Sequence, residues 1–202
     1  DIFLKRCINS IATNIDVEKY KDQFEVIVVD DKSEDATAFD ELDFKTLNIK
    51  VIHNEENLNI GGARNVGLDN SVGKYIWYLD GDDFIENTAI LRFFSNYEKT
   101  KDKDIQLFFT QFNSLNYQPD GSGAINTVSR LNNMQLINYA FCPVSSCCKI
   151  VRRDKAIRHP EKVYMEDVVF NFQQLDLIDG PENVCTLSDG AYWTYDLRRE
   201  SN

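Results

Sequence analysis

The run Tyr78-Leu79-Asp80-Gly81-Asp82-Asp83-Phe84 places three carboxylates within four residues, directly after the apolar stretch "YIWYL". Like charges this close repel one another, and taking any of them out of water is costly unless something positive is bound there. A divalent cation meets that need. Gly81 lets the backbone bend so that Asp80 and Asp82 converge, and Mg²⁺ or Mn²⁺ is typically held by one or two protein carboxylates and completed by substrate phosphates. On the residues alone a second reading stays open, a strand-to-helix turn in which the aspartates form Asx-turns and cap the next helix.

Three further groupings carry the same ambiguity. Asp30-Asp31-Lys32-Ser33 follows "VIVV" and offers either a carboxylate for the N–H of a base or the hydroxyls of a ribose, or an ordinary turn capped by Ser33. "NIGGARNVG" sets Gly61 and Gly62 at a helix start with Arg64 in the first turn, where backbone N–H groups and a guanidinium can meet phosphate oxygens. Arg64 paired with a carboxylate such as Asp69 is the plainer alternative. The spacings of a dinucleotide fingerprint and of a phosphate-binding P-loop do not occur. Glu166-Asp167 opens "MEDVVFNFQQL"; acids in a first helical turn suit the macrodipole, but one there can also serve as a general base aimed at an acceptor hydroxyl. His53 and His159 are isolated and read as surface or packing residues.

The elements that must position these groups follow from periodicity. "FLKRCINSIA" reads as a helix with Phe3, Leu4, Cys7, Ile8 and Ile11 on one stripe. "FEVIVVD" reads as a strand buried on both faces, and "IKVIH" and "KYIWYL" as the next two. "NTAILRFFSNYEK" is expected as a helix with Ile90, Leu91, Phe94 and Tyr97 inward, and "DIQLFFTQF" as a fourth strand. The later part is less regular: a turn at "YQPDGSGA", a helix around "MQLINYA", a strand around "SSCCKIVRR", a helix from Glu166 with Val168, Val169, Phe172 and Leu175 inward, and a last strand "GAYWTYDL". Alternating β and α segments predict an α/β fold with a mainly parallel, twisted sheet and helices on both faces. In such sheets ligands lie beyond the carboxyl ends of the strands, where both acidic loops fall.

Composition narrows the function. The 202 residues suffice for one substantial core, and a net charge of -11 argues against a nucleic-acid partner, which needs a basic face. A small ligand, or an anionic one bridged by metal, is expected instead. The five cysteines are odd in number and lack zinc-site spacing, which predicts free thiols in a reducing cytosol. No apolar run is long enough to span a bilayer and no signal-peptide pattern opens the chain, so a cytoplasmic protein is expected, with peripheral association at the inner face of the membrane compatible.

Taken in order, "VVDDKS", "GGARNVGL", "GKYIWYLDGDDF", "CCKIVRRD", "YMEDVVF" and "YDLRRES" resemble the family 2 glycosyltransferases, inverting enzymes of the GT-A fold that use nucleotide-diphosphate sugars. The resemblance runs from about Phe3 to about Ser201. It implies one GT-A-like domain over residues 1–202, with a nucleotide-sugar half over about 1–113 and an acceptor half over about 114–202. It also implies Asp31 at the base, Arg64 beside the nucleotide, Asp80 at the ribose or the metal, Asp82 on the Mg²⁺ or Mn²⁺ that bridges the diphosphate, and Asp167 as catalytic base. The donor implied is a UDP-sugar, the acceptor a glycan or lipid-linked glycan, and the setting bacterial surface polysaccharide synthesis. The family's usual first strand and its base-contacting turn are not matched, and the expectation is that they are missing before residue 1. Residues from about Gln111 to Ala140 match nothing specific. Two alternatives stand beside this reading: a nucleotidyltransferase on a related scaffold, and a non-catalytic nucleotide-sugar or glycan-binding module.

Overall fold

A computed structural model describes residues 2–40, 47–117, 123–128, 146–161 and 166–197. The expected helix around "MQLINYA", most of the turn at "YQPDGSGA", and Arg198 and Arg199 lie outside the described residues. The chain opens with helix α1 (Ile2–Ala12) and a short α2 (Val17–Tyr20). Strand β1 (Val26–Asp30), helix α3 (Thr37–Asp40), strand β2 (Ile49–His53) and helix α4 (Asn59–Asn70) follow. Next come strands β3 (Tyr75–Trp77) and β4 (Phe84–Ile85), helix α5 (Ala89–Thr100) and strands β5 (Leu107–Tyr117) and β6 (Gly123–Val128). Strand β7 (Lys149–Arg152), helix α6 (Glu166–Asp176) and strand β8 (Val184–Leu197) complete the described elements.

Strands β1 and β2 pair in parallel from Val26↔Ile49 to Asp30↔His53, with α3 in the connection between them. The larger sheet runs β3-β7-β5-β8-β4, with β6 added to β5. Its longest ladder is parallel, β5 with β8 from Leu107↔Val184 to Asn116↔Leu197. The ladders of β7 with β3 and β5, of β4 with β8 and of β5 with β6 are antiparallel. The fold is thus α/β, with parallel ladders at β1–β2 and β5–β8 and antiparallel ladders elsewhere among the described strands. Strand β5 passes through position 114, so the sheet is continuous across the boundary expected between the two halves.

The core sits between this sheet and α1, α2 and α5. Phe108, Trp193 and Tyr192 are wholly buried, joined by Ile8, Ile90 and Ile150. Burying a large apolar side chain stabilises by roughly 1.5–3 kcal/mol, so these central strands form a rigid base for the loops at their ends. Helix α1 buries Cys7 and Ile8 as its stripe predicts. Helix α6 differs from expectation: Phe170, Asn171 and Gln174 face inward, while Phe172 is exposed. The reason is that its inner face is partly polar. Gln174 donates to the carbonyl of Lys155 at 2.8 Å and accepts from the N–H of Ile157 at 3.2 Å, tying α6 to the chain that follows β7. An apolar pattern cannot register a face built on such bonds.

Candidate active site

Helix α4 begins after a loop governed by Asp31. One carboxylate oxygen, Oδ1, accepts from Asn54 Nδ2 at 2.9 Å and from the N–H of Leu58 at 2.8 Å. The other oxygen takes no hydrogen bond among the described residues. Asp30 is buried, bonded to His53 Nδ1 at 2.9 Å and to the N–H of Ser33, so it holds the strand ends. Of the pair, Asp31 is the one with an oxygen left for a ligand.

The paired glycines have a steric cause. A Cβ on Gly61 would lie 2.3 Å from the carbonyl oxygen of Pro160, and one on Gly62 would lie 2.5 Å from Leu58 Cβ. Helix α4 therefore presses its first turn directly against residues 159–160. One turn on, Asn65 seals the contact by accepting from the N–H of His159 at 2.7 Å and donating to its carbonyl at 3.0 Å. That seam aims Arg64 between the loop after β3 and the start of α6.

Arg64 is the hub of the site. Its Nη2 donates to Asp80 Oδ1 at 2.8 Å, and its Nη1 to Asp167 Oδ1 at 2.7 Å and Glu166 Oε1 at 3.3 Å. With 9% of its side chain exposed, the guanidinium is largely desolvated. Burial acts to lower its pKa, but Asp80 and Asp167 outweigh this and raise it, so the cation is permanent. Asp69, the partner considered from sequence, instead pairs with Arg158 at 2.8 Å. Asp167 Oδ1 also accepts from the buried Ser146 hydroxyl at 2.5 Å, and that hydroxyl lies 2.9 Å from His159 Nε2. Sequence reasoning missed Ser146 and treated His159 as isolated. No spacing links them to Asp167, and only the "CCKIVRRD" segment beside Ser146 stood out.

In the acidic turn the three carboxylates take different places. Asp80 faces Arg64 and Asp82 is exposed, with its carbonyl accepting from Arg6 at 2.5 Å. Asp83 is fully buried: Oδ1 accepts from the N–H of Asp196 at 3.0 Å, and Oδ2 has no hydrogen-bond partner. Asp80, Asp83 and Cys147 present ligand atoms within 4.8 Å of one another. Two hard oxygens and a thiol around an unsatisfied buried carboxylate fit a divalent cation by donor set.

Burial, with Asp80, Asp82 and Asp196 adding to it, pushes the Asp83 carboxyl up to about 7 from 3.8. The folded state therefore binds this proton more tightly than the unfolded chain. The resulting stability is complete below about pH 4 and is lost as pH rises towards 7, a change on the order of 4 kcal/mol at most. In EDTA, thermal melts of Asp83→Asn should lack that part of the decline, and Mn²⁺ should oppose it in the wild type. Identical pH profiles for wild type and variant in EDTA would refute this account of Asp83.

A model of the family described as glycosyl transferase family 2 matches residues 3–159. The chain belongs to that family. The family 2 chain is 34% identical over 120 residues to the amylovoran biosynthesis glycosyltransferase AmsB of Erwinia amylovora, a match covering 56% of this chain and 39% of that protein. Glycosyltransferase GlyA of Streptococcus pneumoniae is 38% identical over 93 residues, covering 44% of this chain and 12% of GlyA. The chain thus spans well under half the length of these relatives. In fold it superposes on S. aureus TarS 1-349 in complex with UDP-GlcNAc, with a TM-score of 0.76 and 24% identity over 100% of this chain and 56% of that one. No described helix of this family 2 chain is long and apolar enough to cross a membrane.

Proposed function

We propose that this chain is the catalytic domain of an inverting glycosyltransferase that moves a sugar from a nucleotide diphosphate, a UDP-sugar by preference, to a hydroxyl of a glycan or lipid-linked glycan. The observation that carries the reading is the hub at Arg64, which joins a donor-side carboxylate, Asp80, to a carboxylate that can accept a proton, Asp167. Residues 1–113 would hold the donor and 114–202 the acceptor, at the inner face of a bacterial membrane in surface polysaccharide synthesis. The AmsB name, which speaks of amylovoran biosynthesis, supports that setting.

Asp31 would receive the N–H of the base on its remaining oxygen, as its placement at the end of β1 allows. Asp80 and Asp83, with Asp82 joining from the solvent side of the same turn, would hold a divalent cation. Cys147 at the third corner favours Mn²⁺ over Mg²⁺, which takes oxygen ligands in a strict octahedron. When bound, the ion supplies charge neutralisation for the departing diphosphate. The chain's own part is positional and basic. As the bond from the anomeric carbon to the diphosphate oxygen breaks, the acceptor oxygen bonds to that carbon from the opposite face. Asp167 takes the hydroxyl proton. Arg64 holds Asp167 and Asp80 in register by charge-assisted bonds.

Calorimetry with UDP, in Mn²⁺ and again in EDTA, tests the donor site. Affinity should be at least about tenfold higher with Mn²⁺, since Asp80, Asp82 and Asp83 otherwise repel the diphosphate. Equal affinity in the two conditions would remove the metal from this reading.

A further inference from the structure

We propose that Ser146, itself held by His159, is a positioning residue that locks the rotation of the Asp167 carboxylate so that only Oδ2 faces the acceptor. This rests on Asp167 being the base. The observation behind it is an asymmetry. Oδ1 of Asp167 receives two donors from separate parts of the fold, Arg64 Nη1 from α4 at 2.7 Å and Ser146 Oγ from the turn before β7 at 2.5 Å. Oδ2 receives none among the described residues. The terminal torsion of an aspartate is soft and roughly two-fold, so one donor would let the two oxygens exchange. Two donors converging on one oxygen from different directions make that exchange costly.

Hydrogen-bond direction fixes the rest of the chain. A carboxylate paired with Arg64 only accepts, so the Ser146 hydroxyl must donate to it. The Ser146 oxygen then accepts from His159, which places the ring proton on Nε2, 2.9 Å away. The ring is buried and packed on two sides: it stacks on Phe170 with centroids 3.7 Å apart at 6°, and the edge-on ring of Tyr78 lies 4.7 Å away. Its backbone is clamped on both sides by Asn65. Burial, aided by Arg64 and Lys149, pushes the imidazole down to about 3, so it is neutral at working pH and cannot ferry the proton. His159 holds the serine, and the serine holds the base.

The test is UDP release from UDP-GlcNAc, UDP-glucose and UDP-galactose in Mn²⁺, with UDP affinity measured alongside by calorimetry. Ser146→Ala should lower kcat roughly tenfold to a hundredfold through misplacement of the base, with donor KM and UDP affinity unchanged. His159→Phe keeps the stacked ring and should also lower kcat, yet cost nothing further in the Ser146→Ala background, because both act through one hydroxyl. Ser146→Ala at the wild-type kcat, or additive losses in the double variant, would overturn the inference. If Ser146→Ala failed to fold, His159→Phe would be judged by the same split of kcat from KM. Asp167→Asn run in parallel separates the two ideas. A fully active Asp167→Asn removes the base and this inference with it, whereas an inactive Asp167→Asn beside an active Ser146→Ala removes the inference alone.

Discussion

Asp167→Asn should reduce sugar transfer by roughly 10²-fold to 10⁴-fold, the usual contribution of general-base catalysis, while UDP binding in Mn²⁺ stays at the wild-type level. The amide keeps the shape of the carboxylate, and its oxygen can still accept from Arg64 Nη1 and from Ser146, the two bonds that Oδ1 now receives. What it loses is the basic lone pair. The competing account is that Asp167 merely complements the dipole of α6, whose first turn also carries Glu166. On that account the substitution costs about 0.3–1 kcal/mol of stability and little rate. The two accounts differ by orders of magnitude in turnover. A folded, UDP-binding variant with the wild-type rate would sink the assignment and turn attention to Glu166.

Arg64→Met is expected to cost about 3–5 kcal/mol in urea unfolding, the penalty for leaving charges uncompensated in a desolvated site, and to abolish transfer. Three carboxylates, Asp80, Glu166 and Asp167, depend on this one guanidinium. Methionine preserves the volume of the stem but none of the five donors. Arg64→Lys should recover only part of the loss, since a single ammonium cannot reach Asp80 and Asp167 at once in the forked geometry that arginine provides. Added Mn²⁺ should restore some stability to Arg64→Met by relieving the same repulsion. A cost below about 1 kcal/mol, the range of an exposed ion pair, would show that the hub is solvated and incidental.

How far the sequence revealed this site depended on how local each signal was. The "VIVV" run, the helix at the paired glycines and the acidic turn are local patterns, and β1, α4 and the turn after β3 lie close to where those patterns put them. Arg64 and Asp167 were recognisable as functional types, but their bond spans 103 positions and no spacing rule reaches that far. Ser146 and His159 were illegible for the same reason: a lone serine and a lone histidine carry no periodicity, and their meaning exists only beside Asp167. The glycines at 61 and 62 stood out as a helix start suited to phosphate, while the physical demand on them is the approach of Pro160 and Leu58. Within the acidic turn, sequence could not tell Asp83 from its neighbours, because burial depends on β8, whose Asp196 N–H binds it.

The press of α4 against residues 159–160 bears on recombination between relatives. Exchanging acceptor halves is an obvious route to new specificities, and the boundary expected at about residue 114 marks a tempting crossover. Yet Gly61, Asn65 and Asp69 come from one side of that crossover, and Pro160, His159 and Arg158 from the other. A donor half bearing any side chain at position 61 would collide with the incoming carbonyl at 160, and an incoming segment without a matching backbone at 159 would strand the buried Asn65 amide. Chimeras should therefore fold only when residues 61–69 and 158–161 are inherited together, as a single cassette split across the sequence.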